Sequence, residues 1–334
     1  MTALRVAVIG VGSFGRNHAR VITSLPDVEL TAIVDADEAR GRAVAEQYRS
    51  AFFPALEDAI GCCDAAIVAT PTATHEEIAS KLLNARIDVL VEKPIAPSSA
   101  AGKRLAQLAD VKGRILQVGH LERFNPAVLA LQRKITVPLF FEIHRLSVFS
   151  PRSLDVDVVL DLMIHDLDIV LSITEQQPTE IHAAGISVLS PKVDIANVRL
   201  VFSTGCIANL TASRVSTEQV RKLRLFQPGE YISVDYQRQD ATRLAVTATD
   251  TPDTAPPKID FESLPVERSE PLKLELAAFF ESVRTRSLPP VGGREGTKAL
   301  QVAEAILDKI KEHGDLVSET LRRAKQPPPF QERQ

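Results

Sequence analysis

Two short stretches hold residue types that could move a proton and a hydride. In Asp161-Leu-Met-Ile-His165-Asp166-Leu-Asp168, the residues Asp161, His165 and Asp168 stand at i, i+4 and i+7. A helix would bring them to one face. Carboxylates beside an imidazole raise its pKa and fix its orientation. Such a histidine can take the proton of a hydroxyl while hydride leaves the same carbon. Three polar residues on one stripe of an otherwise apolar helix are costly unless used. A metal pair or a buried structural cluster is the plainer alternative. The spacing does not exclude a metal, but no second histidine lies nearby to complete a zinc site, so no metal is expected. In Glu92-Lys93-Pro94, a lysine at a strand end could hold a hydroxyl by hydrogen bonding and stabilise negative charge on its oxygen. Pro94 restricts the backbone of Lys93 and permits a cis bond. The plainer reading of Lys93 is a solvated charge.

A third polar stretch is Val118-Gly119-His120-Leu121-Glu122-Arg123-Phe124-Asn125-Pro126. It follows a predicted strand and joins two regions of different texture. His120, Glu122, Arg123 and Asn125 can therefore reach a small-molecule substrate in a cleft between domains. Asn125 serves equally well as a helix N-cap with Pro126 at the first helical position, and both readings stand.

A hydride needs an acceptor. Gly10-Val11-Gly12-Ser13-Phe14-Gly15 directly follows a predicted strand and opens a predicted helix. Gly10 permits the tight turn, Gly12 lets backbone approach a pyrophosphate, and Gly15 allows close helix–strand packing. The helix end, with Ser13 and Phe14, offers free amides to phosphates. Asp35 ends the second strand, where an acidic residue binds the adenine-side ribose hydroxyls of NAD and repels the 2′-phosphate of NADP. Ala36-Asp37 follow it with no arginine, so NAD is favoured over NADP. Asp37 is the better N-cap of the helix that follows. Ala69-Thr70-Pro71, with His75 behind them, and Glu92-Lys93 stand at the carboxyl ends of strands. Such ends line the ligand crevice, so these residues are expected along the cofactor.

The elements that must position these groups alternate through the first third. Leu4 to Ile9, Glu29 to Val34, Ala65 to Ala69, Asp88 to Val91 and Ile115 to Val118 read as buried strands. Helical patterns lie between them over Phe14 to Ser24, Glu38 to Tyr48, Thr74 to Asn84 and Ser98 to Asp110. Continuous apolar strands separated by helices predict a doubly wound parallel sheet, a Rossmann domain over residues 1–120. Residues 121–334 read differently. Asn125 to Ile135 and Val156 to Thr174 are helical, and Pro138 to Ser147 is a strand. Several strands then follow without intervening helices from Pro178 to Val246, with turns at Ser203-Thr204-Gly205 and Gln227-Pro228-Gly229. That is an α+β domain with a largely antiparallel sheet. Thr249 to Pro257 reads as a surface loop. Helices over Glu270 to Arg286 and Arg294 to His313 precede a frayed end at Pro327-Pro328-Pro329.

Composition bounds the function. The 334 residues carry 39 Lys+Arg against 43 Asp+Glu, a net charge of −4, with 13 Phe, 3 Tyr and no Trp. Nucleic-acid binding lacks both its charge excess and its stacking platforms. No apolar run is long enough to span a membrane, and the first residues do not form a signal peptide. Three cysteines, Cys62, Cys63 and Cys206, form no disulfide framework, which suits a reducing cytoplasm. The sequon at Asn209-Leu210-Thr211 reads as chance.

In order along the chain, these motifs resemble the Gfo/Idh/MocA family, together with His18-Ala19, Glu270-Pro271-Leu272 and Pro290-Val291-Gly292-Gly293. By that resemblance Lys93, Asp161 and His165 match the family's catalytic Lys, Asp and His. The resemblance implies an NAD-dependent dehydrogenase of a sugar or nucleotide-sugar hydroxyl. It also implies an open-faced sheet that joins a homodimer or homotetramer. The stretches over 119–126 and 157–165 look more like members that oxidise the 3-hydroxyl of UDP-N-acetylglucosamine. One departure is Met163, where the family's helix often has glycine. A non-catalytic dinucleotide sensor, or a biliverdin reductase-like enzyme, is the alternative. The joint presence of Lys93, Asp161 and His165 argues against the first, and the intact histidine helix against the second.

Overall fold

The computed structural model describes residues 3–149, 156–247 and 258–324. The expected loop over 249–257 and the expected frayed end at 327–329 lie outside the described residues. The first unit is a six-stranded, all-parallel sheet. In chain order its elements are β1 (Leu4–Ile9), α1 (Ser13–Ile22), β2 (Val28–Val34), α2 (Glu38–Tyr48), β3 (Ala51–Phe53) and α3 (Leu56–Ala59). They continue with β4 (Ala65–Val68), α4 (His75–Asn84), β5 (Asp88–Glu92), α5 (Ser99–Lys112) and β6 (Leu116–Gly119). The strand order is β3-β2-β1-β4-β5-β6. The central strands are buried on both faces, from Val6 to Ile9 and throughout β4, which is why they read as unbroken apolar runs. Asp37 caps α2 by accepting from the Arg40 amide, and Ser98 caps α5 in the same way through Ala101. The sheet switches direction of growth between β1 and β4, so the carboxyl ends of both open onto one crevice.

The second unit begins with α6 (Pro126–Gln132), which Asn125 caps. β7 (Phe140–Val148) follows, then α7 (Ile164–Thr174). Seven more strands complete an eight-stranded sheet: β8 (Glu180–Ile186), β9 (Ile195–Val201), β10 (Ile207–Ser216), β11 (Val220–Gln227), β12 (Glu230–Asp235), β13 (Asp240–Thr247) and β14 (Lys258–Ser263). Neighbours from β8 to β10 and from β11 to β14 pair antiparallel, as the turn signals predict. β7 departs from a simple meander. It inserts between β10 and β11 and runs parallel to β10, because the chain returns to it only after the α7 crossover. Side chains alternate along the strands. Phe141, Ile143, Val198, Leu210 and Leu223 point into a core shared with α6, α7 and the last helix.

Two closing helices, α8 (Pro271–Thr285) and α9 (Gly293–Ala324), tie the units together. Leu276, Phe279, Phe280 and Val283 of α8 pack with Val6, Val8, Ile33, Ile67 and Leu90, covering one face of the parallel sheet. α9 begins against the other face through Leu300 and continues into the second core through Val302, Ile306 and Ile310. The core around residues 4–119 is therefore completed by residues from the far end of the sequence. None of the described helices is long and apolar enough to cross a membrane.

Candidate functional site

The β1–α1 turn forms as its glycines require. Gly10 has φ +84°, and a Cβ there would sit 2.9 Å from the Ala69 carbonyl oxygen. A Cβ on Gly15 would lie 1.9 Å from the Gly10 oxygen, so helix and strand can pack only with glycine in place. Gly12, the N-cap of α1, is different: a Cβ there would meet nothing within 4 Å. The first turn of α1 has no side-chain cap and no acidic residue. Its amides and positive dipole end thus face open space. That space is a cavity of about 630 Å³ lined by Gly10, Gly12, Ser13, Phe14, Asp35, Arg40, Ala69, Thr70 and Pro71, among others. Open helix-end amides, a glycine cradle and a buried carboxylate fit a dinucleotide.

Asp35 directly follows β2 and is 5% exposed. Its carboxylate accepts from the amides of Val11 (2.7 Å) and Asp37 (2.8 Å). It also accepts from Arg40, through Nε at 3.1 Å and Nη2 at 2.7 Å. Burial pushes its pKa up, but Arg40 and the two amides outweigh that and hold it below the ordinary carboxylate value. The absence of an arginine next to Asp35 in sequence is thus only part of the picture. Arg40, in the first turn of α2, folds back onto the carboxylate and lines the cavity. His75 is 1% exposed, with Nδ1 at 2.8 Å from the Pro94 oxygen and Nε2 at 2.9 Å from the Thr70 oxygen. It braces the two strand-end loops to each other from behind.

A second cavity, of about 440 Å³, adjoins the first through Phe14, Ala69, Thr70 and Pro71 and adds Glu92, Lys93, Pro94 and Asp161. The Lys93–Pro94 bond is cis. Lys93 Nζ donates to the main-chain oxygen of Asp161 at 2.6 Å and to its Oδ1 at 3.3 Å. Glu92 accepts from the His18 ring at 2.7 Å, anchoring the strand end to α1. Asp161 lies in a π-helical turn, Val159–Met163, in which the Ile164 amide bonds to the Val159 carbonyl five residues back. α7 starts only at Ile164, so the expected helix over 156–174 is in two parts. One α-helical face does not hold Asp161, His165 and Asp168 together. The wide turn turns Asp161 to Lys93, while Asp168 is buried against Arg123.

His165 is half-buried, and its Nδ1 is buried without a hydrogen bond. The expectation that flanking carboxylates raise its pKa is corrected. Burial drives it well below the ordinary imidazole value, and Lys93, Arg145, His120 and Arg221 push it further down. The carboxylates are spent elsewhere: Asp166 on Arg145 at 2.7 and 2.8 Å, and Asp168 on Arg123 at 2.9 Å. His120, 1% exposed, stands edge-on to His165 with ring centres 6.0 Å apart. Both its nitrogens lack a partner, and burial lowers its pKa too. Two neutral imidazoles therefore sit beside the Lys93 ammonium.

The other polar residues of the 118–126 stretch are held by partners. Glu122 accepts from Arg145 at 2.8 Å and from Asn125 Nδ2 at 3.1 Å. Asn125 caps α6 by accepting from the Ala127 amide, and also donates to the Tyr236 carbonyl. Of its two readings, the N-cap is the one the structure displays. Arg123 lines a separate cavity of about 370 Å³ with Asp168 and Glu175. Sequence reasoning missed Arg145, Arg221 and Tyr236 and gave Asp166 no role of its own. Arg145 is buried between Glu122 and Asp166, with Tyr236 Oη also donating to Asp166. Arg145 sits on the inner face of β7, where alternation predicts an apolar residue, so an arginine at an inward position was the available signal. Among the described residues, no group of three or more His, Cys, Asp or Glu is placed to hold a metal ion.

Similarity to known proteins agrees with this geometry. Residues 4–120 match an oxidoreductase family with an NAD-binding Rossmann fold (GFO/IDH/MocA), and residues 144–227 match the GFO/IDH/MocA C-terminal domain. The chain is 36% identical over 237 residues to a UDP-N-acetylglucosamine 3-dehydrogenase of Acidithiobacillus ferrooxidans, covering 71% of this chain and 75% of that one. It is 27% identical over 331 residues to an NAD⁺-dependent scyllo-inositol 2-dehydrogenase of Bacillus subtilis, covering 92% and 94%. A solved structure of the Acidithiobacillus ferrooxidans enzyme superposes with a TM-score of 0.86 at 30% identity, covering 93% of this chain and 99% of that one.

Proposed function

The chain belongs to the Gfo/Idh/MocA family of oxidoreductases, and on that premise we propose that it oxidises the 3-hydroxyl of UDP-N-acetylglucosamine with NAD. The observation that carries the reading is Lys93, tied to Asp161 in a cavity that adjoins the dinucleotide groove, with a neutral His165 close enough to feel its charge. The dinucleotide, when bound, supplies the hydride acceptor. Gly12 and the α1 amides would hold its phosphates, and Arg40, fixed by Asp35, its adenosine ribose.

Lys93 has three N–H donors and gives two to Asp161. The third orients the sugar hydroxyl and stabilises its oxygen as the proton leaves. His165 takes that proton. It is neutral and therefore able to accept because burial and the cations around it disfavour its charged form. The same cations favour negative charge on the substrate oxygen. Asp161 fixes Lys93. His120 packs against the ring of His165 and limits its rotation. Phe140, Phe226 and Tyr231 cluster on the face of the eight-stranded sheet opposite its core, which supports a homodimer or homotetramer built through that sheet. The cysteines are free thiols, in keeping with a cytoplasmic enzyme.

The test is an NAD⁺ reduction screen with UDP-N-acetylglucosamine, free sugars and inositols. NADH absorbance is expected with UDP-N-acetylglucosamine and not with the other two classes. Turnover of an inositol alone would replace the substrate and keep the chemistry.

A further inference from the structure

We propose that Arg40 lets the pocket accept a dinucleotide bearing a 2′-phosphate on its adenosine ribose, as well as one without it. The inference rests on the dinucleotide reading of the β1–α1 cavity and goes beyond it. An acidic residue after β2 selects NAD by accepting hydrogen bonds from both ribose hydroxyls and by repelling a phosphate. Asp35 is poorly placed to do either. Its two oxygens already accept from Val11 N, Asp37 N, Arg40 Nε and Arg40 Nη2. A carboxylate has about four lone-pair sites, so none is left for ribose hydroxyls while Arg40 stays in place.

The charge of Asp35 is also covered. Arg40 docks with its Nε–Nη2 edge, a bidentate fork that fixes the guanidinium plane. The opposite edge, with Nη1, reaches only the exposed Asp37, at 3.3 Å. Arg40 is itself 37% exposed and lines the cavity with Asp35 and Ala36. Its outer N–H groups can therefore donate to a phosphate oxygen, or to a ribose hydroxyl oxygen, without releasing Asp35. Asp37 keeps Oδ1 on the Arg40 amide as the cap of α2, and its contact with Nη1 through Oδ2 is the one a ligand oxygen would displace. Arg40 thus recognises the group on the ribose, and Asp35 holds Arg40 in place.

The experiment measures equilibrium binding of NADH and NADPH to the full chain, by nicotinamide fluorescence or calorimetry, with no sugar present. The wild-type Kd values for the two are expected within tenfold of each other. Arg40→Gln is expected to weaken NADPH at least tenfold more than NADH. Arg40→Lys, which keeps the charge without the fork, should fall between. A wild-type preference for NADH above tenfold, or a ratio unmoved by Arg40→Gln, overturns the inference. If Arg40→Gln does not fold, the wild-type ratio and Arg40→Lys decide. Failure of both dinucleotides to bind would overturn the cofactor reading and this inference with it. Binding of NADH alone would overturn this inference only.

Discussion

Lys93 is held by two atoms of one residue, and they are not equivalent. The shorter contact, 2.6 Å, is to the Asp161 main-chain oxygen, which survives any substitution of the side chain. Lys93→Ala is therefore expected to cost about 10²- to 10⁴-fold in kcat, the range for a positioned polar group at the reacting atom. Asp161→Ala is expected to cost roughly tenfold, about 1.4 kcal/mol. Steady-state kinetics with dinucleotide binding measured separately tests the pair, and equal losses would show that the carboxylate acts on substrate itself. His165→Ala should match Lys93→Ala in turnover and still bind dinucleotide. Because burial and nearby cations lower the pKa of His165, the acid limb of kcat/KM is expected below the ordinary imidazole value of about 6.5. A limb at or above that value would mean that a carboxylate supports the charged ring after all. Lys93 and His165 were legible because their types and neighbours carry chemistry. The direction of the His165 shift was not, because Asp166 and Asp168 lie near it in sequence yet face arginines that arrive from distant segments.

At the scale of elements, burial on two faces made β1, β4 and β5 readable. β3, three residues long, gave too short a run to stand out. The π turn before α7 was invisible for a different reason. Its residues are as helix-compatible as those after it, and the wider turn is fixed by the packing of Val159 and Met163 in the second core. Met163, fully buried in the second core, is not among the residues that line the two cavities. The pattern of α8 showed an apolar face but not its destination. That destination is testable. Phe279→Ala removes a fully buried ring between α8 and the parallel sheet and should cost about 3–5 kcal/mol in urea unfolding. Phe14→Ala, at a residue 59% exposed beside the dinucleotide groove, should stay within about 0.5 kcal/mol. Equal costs would mean that α8 is not integral to that core.

For the whole molecule, acid sensitivity follows from buried imidazoles. His75, His120 and His165 all have pKa values lowered chiefly by burial. Between about pH 6.5, where the unfolded chain takes up these protons, and the lower folded values, the unfolded state binds more protons than the native one. Stability is thus fully present above that window and falls as pH drops through it. The slope approaches about 1.4 kcal/mol per pH unit for each histidine. Urea unfolding between pH 7.5 and 5 checks this, and a flat profile would mean that those rings accept protons in the native state. The division into a parallel and an antiparallel sheet was legible from the alternation of element types. The closing of the first by the last helices was not, since long-range packing leaves no local mark on sequence.

That closing has a consequence for how the protein is made. Val6 and Val8 leave the ribosome long before the α8 side chains that cover them. Until then the nascent nucleotide half keeps one apolar face open and must be shielded by a chaperone or by transient contacts. A chain broken before α8 would keep every residue that lines the dinucleotide groove, but on a sheet with one apolar face uncovered. Cofactor binding by such a fragment would be limited by the stability of its half-covered sheet and not by missing pocket residues.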